Sequence, residues 1–175
     1  MQLFEIDGKR PKIHQNISYI ADDVKIIGDV EIGEGSTIFP GVVVEGYPIK
    51  IRIGRFSNIQ SNSVIHGLSG YDTVIGDYNT IGHRCIIHGC ELGTNVTVGI
   101  GSIVMGKTKI GSNSMIGAGS LVTQNKNFQA GSLILGSPAE VMRKLTEKEI
   151  SYNRKVAMMY SDEARHIKKD MKRID

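Results

Sequence analysis

The stretch from Leu92 to Val122 reads LGTNVT VGIGSI VMGKTK IGSNSM IGAGSL V. In each group of six, the first residue is aliphatic, the second is often Gly and the fifth is often small. A period of six fits neither the 3.6-residue period of an amphipathic helix nor the strict alternation of a strand. It is typical of a parallel β-helix in which each hexapeptide forms one short flat face of a three-sided coil.

The same period extends from this stretch towards the N-terminus. It is interrupted three times, because the spacing gains three residues after Val44, gains four after Ile65 and loses one after Ile87. Seventeen repeats, taken three to a coil, predict between five and six coils. The first residues of the repeats are Ile20, Ile26, Ile32, Ile38, Val44, Ile53, Ile59, Ile65, Ile75, Ile81, Ile87, Leu92, Val98, Val104, Ile110, Ile116 and Val122.

The segments that flank the repeats have different patterns. Residues 1–19 read as an irregular lead-in, and residues 124–131 read as a polar loop that ends the repeats. Thr146 and Glu149 have the spacing of a capping box, which marks the start of a helix. Apolar residues then recur at spacings of three and four, which predicts an amphipathic helix able to pack along the solenoid. They are Ile150, Ala157, Tyr160, Ala164, Ile167 and Met171.

These patterns predict an all-β solenoid with one helical segment. We assign residues 1–135 to a parallel β-helix of hexapeptide repeats, including its N-terminal lead-in. Residues 136–175 form a C-terminal segment whose long α-helix packs on the β-helix, so the chain is a single domain overall.

Composition and charge exclude several classes of partner. The formal net charge of +3 comes from 21 basic and 18 acidic residues that are dispersed along the chain, so we expect no nucleic-acid partner. No run of 18 apolar residues occurs, and residues 1–7 lack a basic region followed by an apolar run, so we expect no membrane partner and a cytoplasmic location. The two cysteines, Cys85 and Cys90, are expected to be reduced thiols.

Three of the five histidines fall within two dozen residues of one another, at His66, His83 and His88. Because faces recur every third repeat, the repeats of Ile65 and Ile87 occupy the same face of adjacent coils. His66 and His88 each follow the inward aliphatic residue, so they should point outward, one above the other, about one strand spacing apart. Two imidazoles at this separation can share a metal ion.

His83 is third in its repeat and belongs to the preceding face of the coil. It points away from the other two histidines and completes their site only if a second chain presents it across an interface. A contact of this kind closes into a ring, and a three-faced prism favours a trimer. The residues Gly82, Gly99 and Gly117 on that face carry no side chain, which would let a neighbour approach closely. The alternative is three surface histidines on a polar solenoid.

The chain resembles the γ-class carbonic anhydrase family over roughly residues 10–165. Hexapeptide repeats alone also match many acyltransferases, whereas three histidines spaced by 17 and 5 residues are far more specific. The resembling segments are Asn58-Ile59-Gln60, Val64-Ile65-His66, Ile81-Gly82-His83, Ile87-His88-Gly89-Cys90, Val98-Gly99-Ile100-Gly101-Ser102, Ile116-Gly117-Ala118-Gly119-Ser120 and Leu135-Gly136-Ser137-Pro138.

The resemblance implies a left-handed β-helix and a homotrimer with metal sites at its subunit interfaces. Zn²⁺, or Fe²⁺ or Co²⁺ in its place, would be held by His66 and His88 of one chain and by His83 of the partner subunit. The activity implied is the reversible hydration of CO2 to bicarbonate by a metal-bound hydroxide.

The same resemblance implies catalytic roles for further residues. Gln60 and Asn58 would lie beside the metal and orient its water, and Tyr160 would lie near the pocket. The sequence departs from the family where Arg-Gly-Asp is replaced by Glu45-Gly46-Tyr47 and Gln-Asp by Gln60-Ser61. These departures remove an arginine and two acids that exchange ion pairs across the family's subunit interface, so no charge is left unpaired there.

Glu45 should stand in the same outward column as His66 and His88, one coil below them. A carboxylate there could orient His66, carry protons, or bind the metal and close its open position. The alternative is a solvated surface acid.

Two other functions remain open at this point. A hexapeptide acyltransferase would use coenzyme A and a single interface histidine as general base. A non-catalytic trimeric scaffold would keep the metal in a structural role.

Overall fold

The computed structural model describes residues 1–172 and Ile174, and it shows a left-handed parallel β-helix of about seven coils followed by one α-helix. The elements in chain order are β1 (Gln2–Phe4), β2 (Lys12–Ile13), β3 (Tyr19–Ile20), β4 (Lys25–Ile32), β5 (Thr37–Ile38), β6 (Val43–Ile53), β7 (Asn58–Ile59), β8 (Val64–His66), β9 (Thr73–Ile75), β10 (Thr80–Ile81), β11 (Ile86–His88), β12 (Glu91–Leu92), β13 (Thr97–Val98), β14 (Ile103–Val104), β15 (Lys109–Ile110), β16 (Met115–Ile116), β17 (Leu121–Val122), β18 (Asn127–Phe128), β19 (Ser132–Gly136), β20 (Ala139–Lys144) and α1 (Glu147–Asp170).

The strands form three faces, and within each face every strand pairs in parallel with the strand one coil away. Face 1 contains β3, β5, β7, β10, β13, β16 and β19, and β20 closes it by an antiparallel pairing. Face 2 contains β8, β11, β14 and β17, and face 3 contains β9, β12, β15 and β18. The long strands β4 and β6 run across the corner between faces 2 and 3, so each contributes to both.

The core consists of the first residues of the repeats, as the sequence predicts. All of these from Ile26 to Val122 are buried, and Ile20, at the start, is partly exposed. Because each inward side chain stacks on its counterpart one coil away, the interior consists mainly of stacked aliphatic groups and contains no charged residue. Removing this apolar surface from water is the main stabilising term of the fold.

The prediction that the repeats end after Val122 is wrong. Phe128, in β18, is buried and pairs with Ile110, and Ile134 in β19 pairs with Ile116, so two further repeats follow. The polar residues around Phe128 hide the first of these repeats. The lead-in is also more regular than expected, because Ile13 pairs with Ile32 in the manner of a coil.

Hydroxyl groups at the fifth position of the repeat link successive coils. The Ser57 hydroxyl donates to the Gly76 carbonyl at 2.8 Å, and the Ser63 hydroxyl donates to the Gly82 carbonyl at 2.9 Å. In each case the acceptor is the second residue of a repeat in the next coil. The fifth position is therefore small so that it fits the corner, and polar so that it satisfies a buried carbonyl group.

The C-terminal helix α1 covers face 1. Its capping box is present, because the Thr146 hydroxyl accepts from the Glu149 amide and the Glu149 carboxylate accepts from the Thr146 amide. Arg143 also binds this carboxylate with two guanidinium nitrogens, and these bonds, followed by those from Thr146, lower the pKa of Glu149 to about 2. The predicted apolar stripe is buried at Ala157 and Ala164, whereas Met171 lies beyond the helix and is exposed.

Among the described residues, α1 is the one helix, and its sequence is not apolar enough to cross a bilayer.

We predict that Gly76 is required for close approach of two coils. A Cβ atom at this position would lie 2.7 Å from the Gly93 carbonyl oxygen and 3.0 Å from the Thr94 nitrogen, both of which are backbone atoms. We expect Gly76→Ala to lower the free energy of unfolding by about 1–3 kcal/mol, because the coils must separate. Chemical denaturation followed by circular dichroism measures this loss.

Gly119→Asn is the matched control. Gly119 has φ +67° and open space around it, and Asn113 adopts φ +59° at an equivalent corner. This variant should stay within about 0.5 kcal/mol of wild type. An equal loss in both variants would contradict the role assigned to Gly76.

Candidate metal centre

His66 and His88 are the last residues of β8 and β11 on face 2. The register pairs them directly, and their ring centroids are 5.3 Å apart with an angle of 38° between the planes. Their neighbours Ile65 and Ile87 are fully buried, so the alternation along each strand turns both imidazoles outward, as the repeat predicts. Both rings are half-buried on the surface of the chain.

The separation and electrostatics of this pair suit a shared cation. Two nitrogens that are each about 2.1 Å from one ion lie at most about 4 Å apart, which rings at this separation can reach. Burial, and then the proximity of His66, lowers the pKa of His88 from its ordinary value. Both effects favour the neutral imidazole, which is the form that binds a metal ion.

The third histidine lies elsewhere on the chain. His83 follows β10 by two residues, is exposed, and stands at the corner where face 1 turns into face 2. Within residues 1–172 and Ile174, no group of three His, Cys, Asp or Glu side chains could hold a metal ion. One chain therefore brings together two of the three predicted ligands.

Gln60 and Asn58 lie on the same face as the strand that precedes His83. The backbone amide of Gln60 donates to the Ile81 carbonyl at 2.9 Å, and the Asn58 side chain donates to the Thr80 hydroxyl at 2.9 Å. The Gln60 side chain in turn donates to Asn58 Oδ1 at 3.3 Å, and both residues are buried. The amide of Asn58 is thus engaged in holding Gln60 and β10 in place.

Tyr160 reaches this same region from α1. Its ring meets the ring of Phe39 edge-on, with centroids 5.8 Å apart. Phe39 follows Ile38, which pairs with Ile59, so Phe39 occupies the position beside Gln60 one coil away. Tyr160 is therefore connected to the His83 region through Phe39.

Glu45 lies on face 2, near His66 and His88. Val44 pairs with Ile65, so Glu45 occupies the position beside His66, one coil below it, as the repeat predicts. Its side chain is half-buried.

The predicted site residues thus fall into two groups on each chain. The pair half comprises His66, His88 and Glu45 on face 2, and the single half comprises His83, Gln60, Asn58 and Tyr160 at the edge of face 1 and on α1.

The outward residues that precede the inward aliphatic positions differ between the three faces. On face 1 they are covered by α1. On face 3 most of them carry charges of opposite sign that form ion pairs, such as Arg52 with Glu31 at 3.1 Å and Lys109 with Glu91 at 3.0 Å, and the exceptions are Val74 and Asn127. On face 2, from Val43 onward, they form an aliphatic column that extends past His66 and His88 on either side. The aliphatic column contains Val43, Val64, Ile86, Ile103 and Leu121, which pair in register from coil to coil.

The sequence reasoning missed this aliphatic column, although a signal was present. From Val43 onward, every repeat of face 2 is preceded by an aliphatic residue, whereas most repeats of the other two faces are preceded by a polar one. Val64 and Ile86 remain 38% and 40% exposed, so this part of face 2 has no cover within the described chain.

Gly82, Gly99 and Gly117 were expected to admit a neighbouring chain, and the structure gives a different reason for glycine on this face. A Cβ atom at Gly82 would lie 2.7 Å from the Ile100 nitrogen and 2.9 Å from the Val98 carbonyl oxygen, both in the next coil of the same chain. Close packing within the chain therefore already requires glycine at this position.

The two cysteines are free thiols, as predicted, and both are buried. Burial raises the pKa of Cys90 to about 12, which favours the protonated thiol beside His88. The Cys85 thiol donates to the Gly99 carbonyl at 3.1 Å and serves as a corner residue.

Comparisons with known proteins agree with this fold. Residues 89–124 match the family model described as bacterial transferase hexapeptide (six repeats). A solved structure of a putative acetyltransferase from Bacillus cereus has a TM-score of 0.94 and 33% sequence identity, covering 97% of this chain and 98% of that chain.

Two curated relatives show the family of the chain. A probable carbonic anhydrase from Methanocaldococcus jannaschii is 47% identical over 141 residues, which cover 81% of this chain and 89% of that protein. Gamma carbonic anhydrase 2, mitochondrial, from Arabidopsis thaliana is 36% identical over 90% of this chain, which spans 59% of the plant protein. The fold defines a hexapeptide-repeat β-helix protein. Within that class, the chain belongs to the γ-class carbonic anhydrase family.

We predict that Asn58 is needed for stability. Asn58→Ala would remove the bond to Thr80 and leave the buried Gln60 side chain without this acceptor, so we expect a loss of about 1–3 kcal/mol in the free energy of unfolding. Asn127→Ala, at an exposed position on face 3, should change stability by less than about 0.5 kcal/mol. Equal stability of the two variants in a denaturant titration would show that the buried amide network contributes little.

Proposed function

We propose that this chain is a metal-dependent γ-class carbonic anhydrase that hydrates CO2 reversibly to bicarbonate in a homotrimer. Each of three sites would combine the pair half of one chain with the single half of the next. The observation that carries this proposal is the in-register pair of His66 and His88, with a third histidine on a face that the same chain cannot bring to them.

The aliphatic column supports a neighbouring chain on face 2. Face 1 is covered by α1 and face 3 is mostly charged, so the aliphatic column is the surface that gains most by leaving water. Because it runs alongside the histidine pair, a chain packed on it would also reach the pair half. A contact between unlike surfaces closes into a ring of three when each chain turns by one face of the prism.

We predict that Ile86→Asp prevents assembly. A carboxylate in the aliphatic column would have to be buried without a partner, so this variant should elute as a monomer in size-exclusion chromatography with light scattering. Val74→Asp is the matched control, because Val74 lies on face 3 and is 38% exposed against 40% for Ile86. The assignment of face 2 fails if both variants remain trimeric or if the control dissociates.

A divalent ion held by the three histidines, whether Zn²⁺, Fe²⁺ or Co²⁺, would supply Lewis acidity that activates water near neutral pH. The residues of the chain would then bind and orient the reactants. Gln60 would direct its amide group towards the substrate from the single half, and Asn58 would act through Gln60 by fixing its orientation. Tyr160 would bound the pocket through its contact with Phe39.

Glu45 would accept protons from the site or hold His66 in orientation. Its place beside His66 supports both roles, and its half-buried carboxylate keeps contact with water for proton exchange. Exchange of the family's Arg-Gly-Asp for Glu45-Gly46-Tyr47 is therefore a change within the pair half itself.

We predict that metal binding requires residues from two different chains. Wild type should bind about one ion per chain, and His83→Ala and His66→Ala should each lose most of it, measured by elemental analysis of untagged protein. The His83→Ala and His66→Ala chains should then be mixed by unfolding and refolding together.

In a mixed trimer, one interface receives an intact pair half from the His83→Ala chain and an intact single half from the His66→Ala chain. Metal and CO2 hydration should therefore return in mixed trimers, whereas neither parent variant shows them. If all three ligands came from one chain, mixing would restore nothing.

The matched family model and the Bacillus cereus structure, whose name is putative acetyltransferase, favour a second candidate. In that case one interface histidine would act as general base and coenzyme A would lie along the prism. Calorimetric titration with acetyl coenzyme A separates the two functions, because a carbonic anhydrase should show no binding. A trimer that binds metal yet hydrates no CO2 would be the non-catalytic scaffold.

A cytoplasmic location remains part of the proposal. It is supported by the two buried free thiols, Cys85 and Cys90, which suit a reducing compartment.

A further inference from the structure

The regular pattern of hydroxyl bonding changes at a corner beside the histidine pair. A similar change occurs in the last coil, where Ser132 donates to the Gln129 carbonyl of its own repeat at 2.6 Å. At regular corners the fifth residue donates to a carbonyl group in the next coil, as Ser57 and Ser63 do. Thr73 is the fifth-position residue of the repeat that carries the four-residue insertion. Its hydroxyl donates instead to the carbonyl group of His66, at 2.5 Å.

The same hydroxyl also contacts the strand of the other histidine. It accepts from the amide of Gly89, the residue after His88, at 2.9 Å. The same Gly89 amide also donates to the His66 carbonyl oxygen, at 3.2 Å. The Thr73 hydroxyl, the His66 carbonyl and the Gly89 amide therefore form a closed set of three hydrogen bonds, and Thr73 is fully buried.

From this geometry we infer that Thr73 is the positioning residue of the metal pair. The inference rests on the proposed function, since it concerns how the chain holds His66 and His88 at the separation that a metal ion requires. Thr73 fixes the backbone at the ends of β8 and β11 rather than the imidazole rings.

The chain around Thr73 explains why such a restraint is needed. After His66 the chain leaves the β-helix in a short hairpin, in which the Tyr71 amide donates to the Leu68 carbonyl at 2.7 Å. Leu68 fills the space that side chains at Gly89 and Gly106 would otherwise occupy. His66 therefore has a regular strand on one side and an insertion on the other, and Thr73 is the first buried residue after the insertion.

A metal site requires accurately placed ligands, because the distance from the metal ion to each ligand varies by only about 0.2 Å. Removing a residue that orients the ligands weakens metal affinity by about 10–100-fold. In the absence of the Thr73 hydroxyl, the insertion could shift and carry the end of β8 with it. The two rings would then sample separations that do not fit one ion.

The experiment compares Thr73→Val, Thr73→Ser and Thr108→Val. Valine keeps the shape of threonine and removes the hydroxyl, whereas serine keeps the hydroxyl. Thr108 is the matched control, because it is buried at the same corner one coil beyond Cys90 and donates to the Thr123 carbonyl at 3.1 Å, away from the histidines. Each protein is prepared as the metal-depleted assembled protein, and Zn²⁺ affinity is measured by competition with a chromophoric chelator.

We expect Thr73→Val to bind Zn²⁺ at least about tenfold more weakly than wild type. Thr73→Ser and Thr108→Val should bind as wild type does, even though Thr108→Val loses stability through its own missing hydrogen bond. The absorption spectrum of the Co²⁺-loaded protein should change in Thr73→Val and stay unchanged in Thr108→Val, because ligand geometry alters it.

Equal Zn²⁺ affinity in Thr73→Val and wild type would overturn the inference while leaving the proposed metal site intact. Equal weakening in Thr73→Val and Thr108→Val would also overturn it, because the effect would then follow from general loss of stability. If wild type itself binds no Zn²⁺, the proposed function fails first. Should Thr73→Val not fold, Thr73→Ala, which relieves any crowding by the second methyl group, is tested against the same criteria.

Discussion

The parallel pairing of each coil with the next is the interaction on which the rest of the structure depends. It requires that one aliphatic side chain point inward on each face, and that every coil return to the same register after three faces. Once that register is fixed, the outward residues are also fixed in columns. The spacing of His66 from His88 is therefore set by the distance between paired strands, and not by any contact that the histidines make for themselves.

The sequence predicted those parts of the structure that repeat. Six-residue periodicity identifies the inward residues, and the register follows from it, so the stacking of His66 on His88 and the position of Glu45 could be stated in advance. The repeat of Phe128 was missed because its neighbours are polar and its inward residue is aromatic. The bonds of Thr73 could not be predicted, since they depend on where an insertion rejoins the corner, which periodicity does not encode.

The three faces show how one repeat supports three surfaces. A single position, the residue before the inward aliphatic, is mostly polar on face 1, mostly charged on face 3 and, from Val43 onward, aliphatic on face 2. The inward half of the repeat is the same on all three faces, so the fold does not depend on these differences. Assignment of each surface to a helix, to solvent or to a neighbouring chain therefore rests on one residue in six.

The insertion between Gly67 and Asp72 leaves the β-helix and returns to it at one corner. Face 3 resumes in register beyond it, since Thr73–Ile75 pairs with the strands on either side. The length of the insertion is thus independent of the stacking of the coils, and a longer loop adds only a slowly growing entropic cost. A family built on this scaffold can alter the wall beside its histidines by changing loop length alone, so the scaffold and the surroundings of the site are free to diversify at different rates.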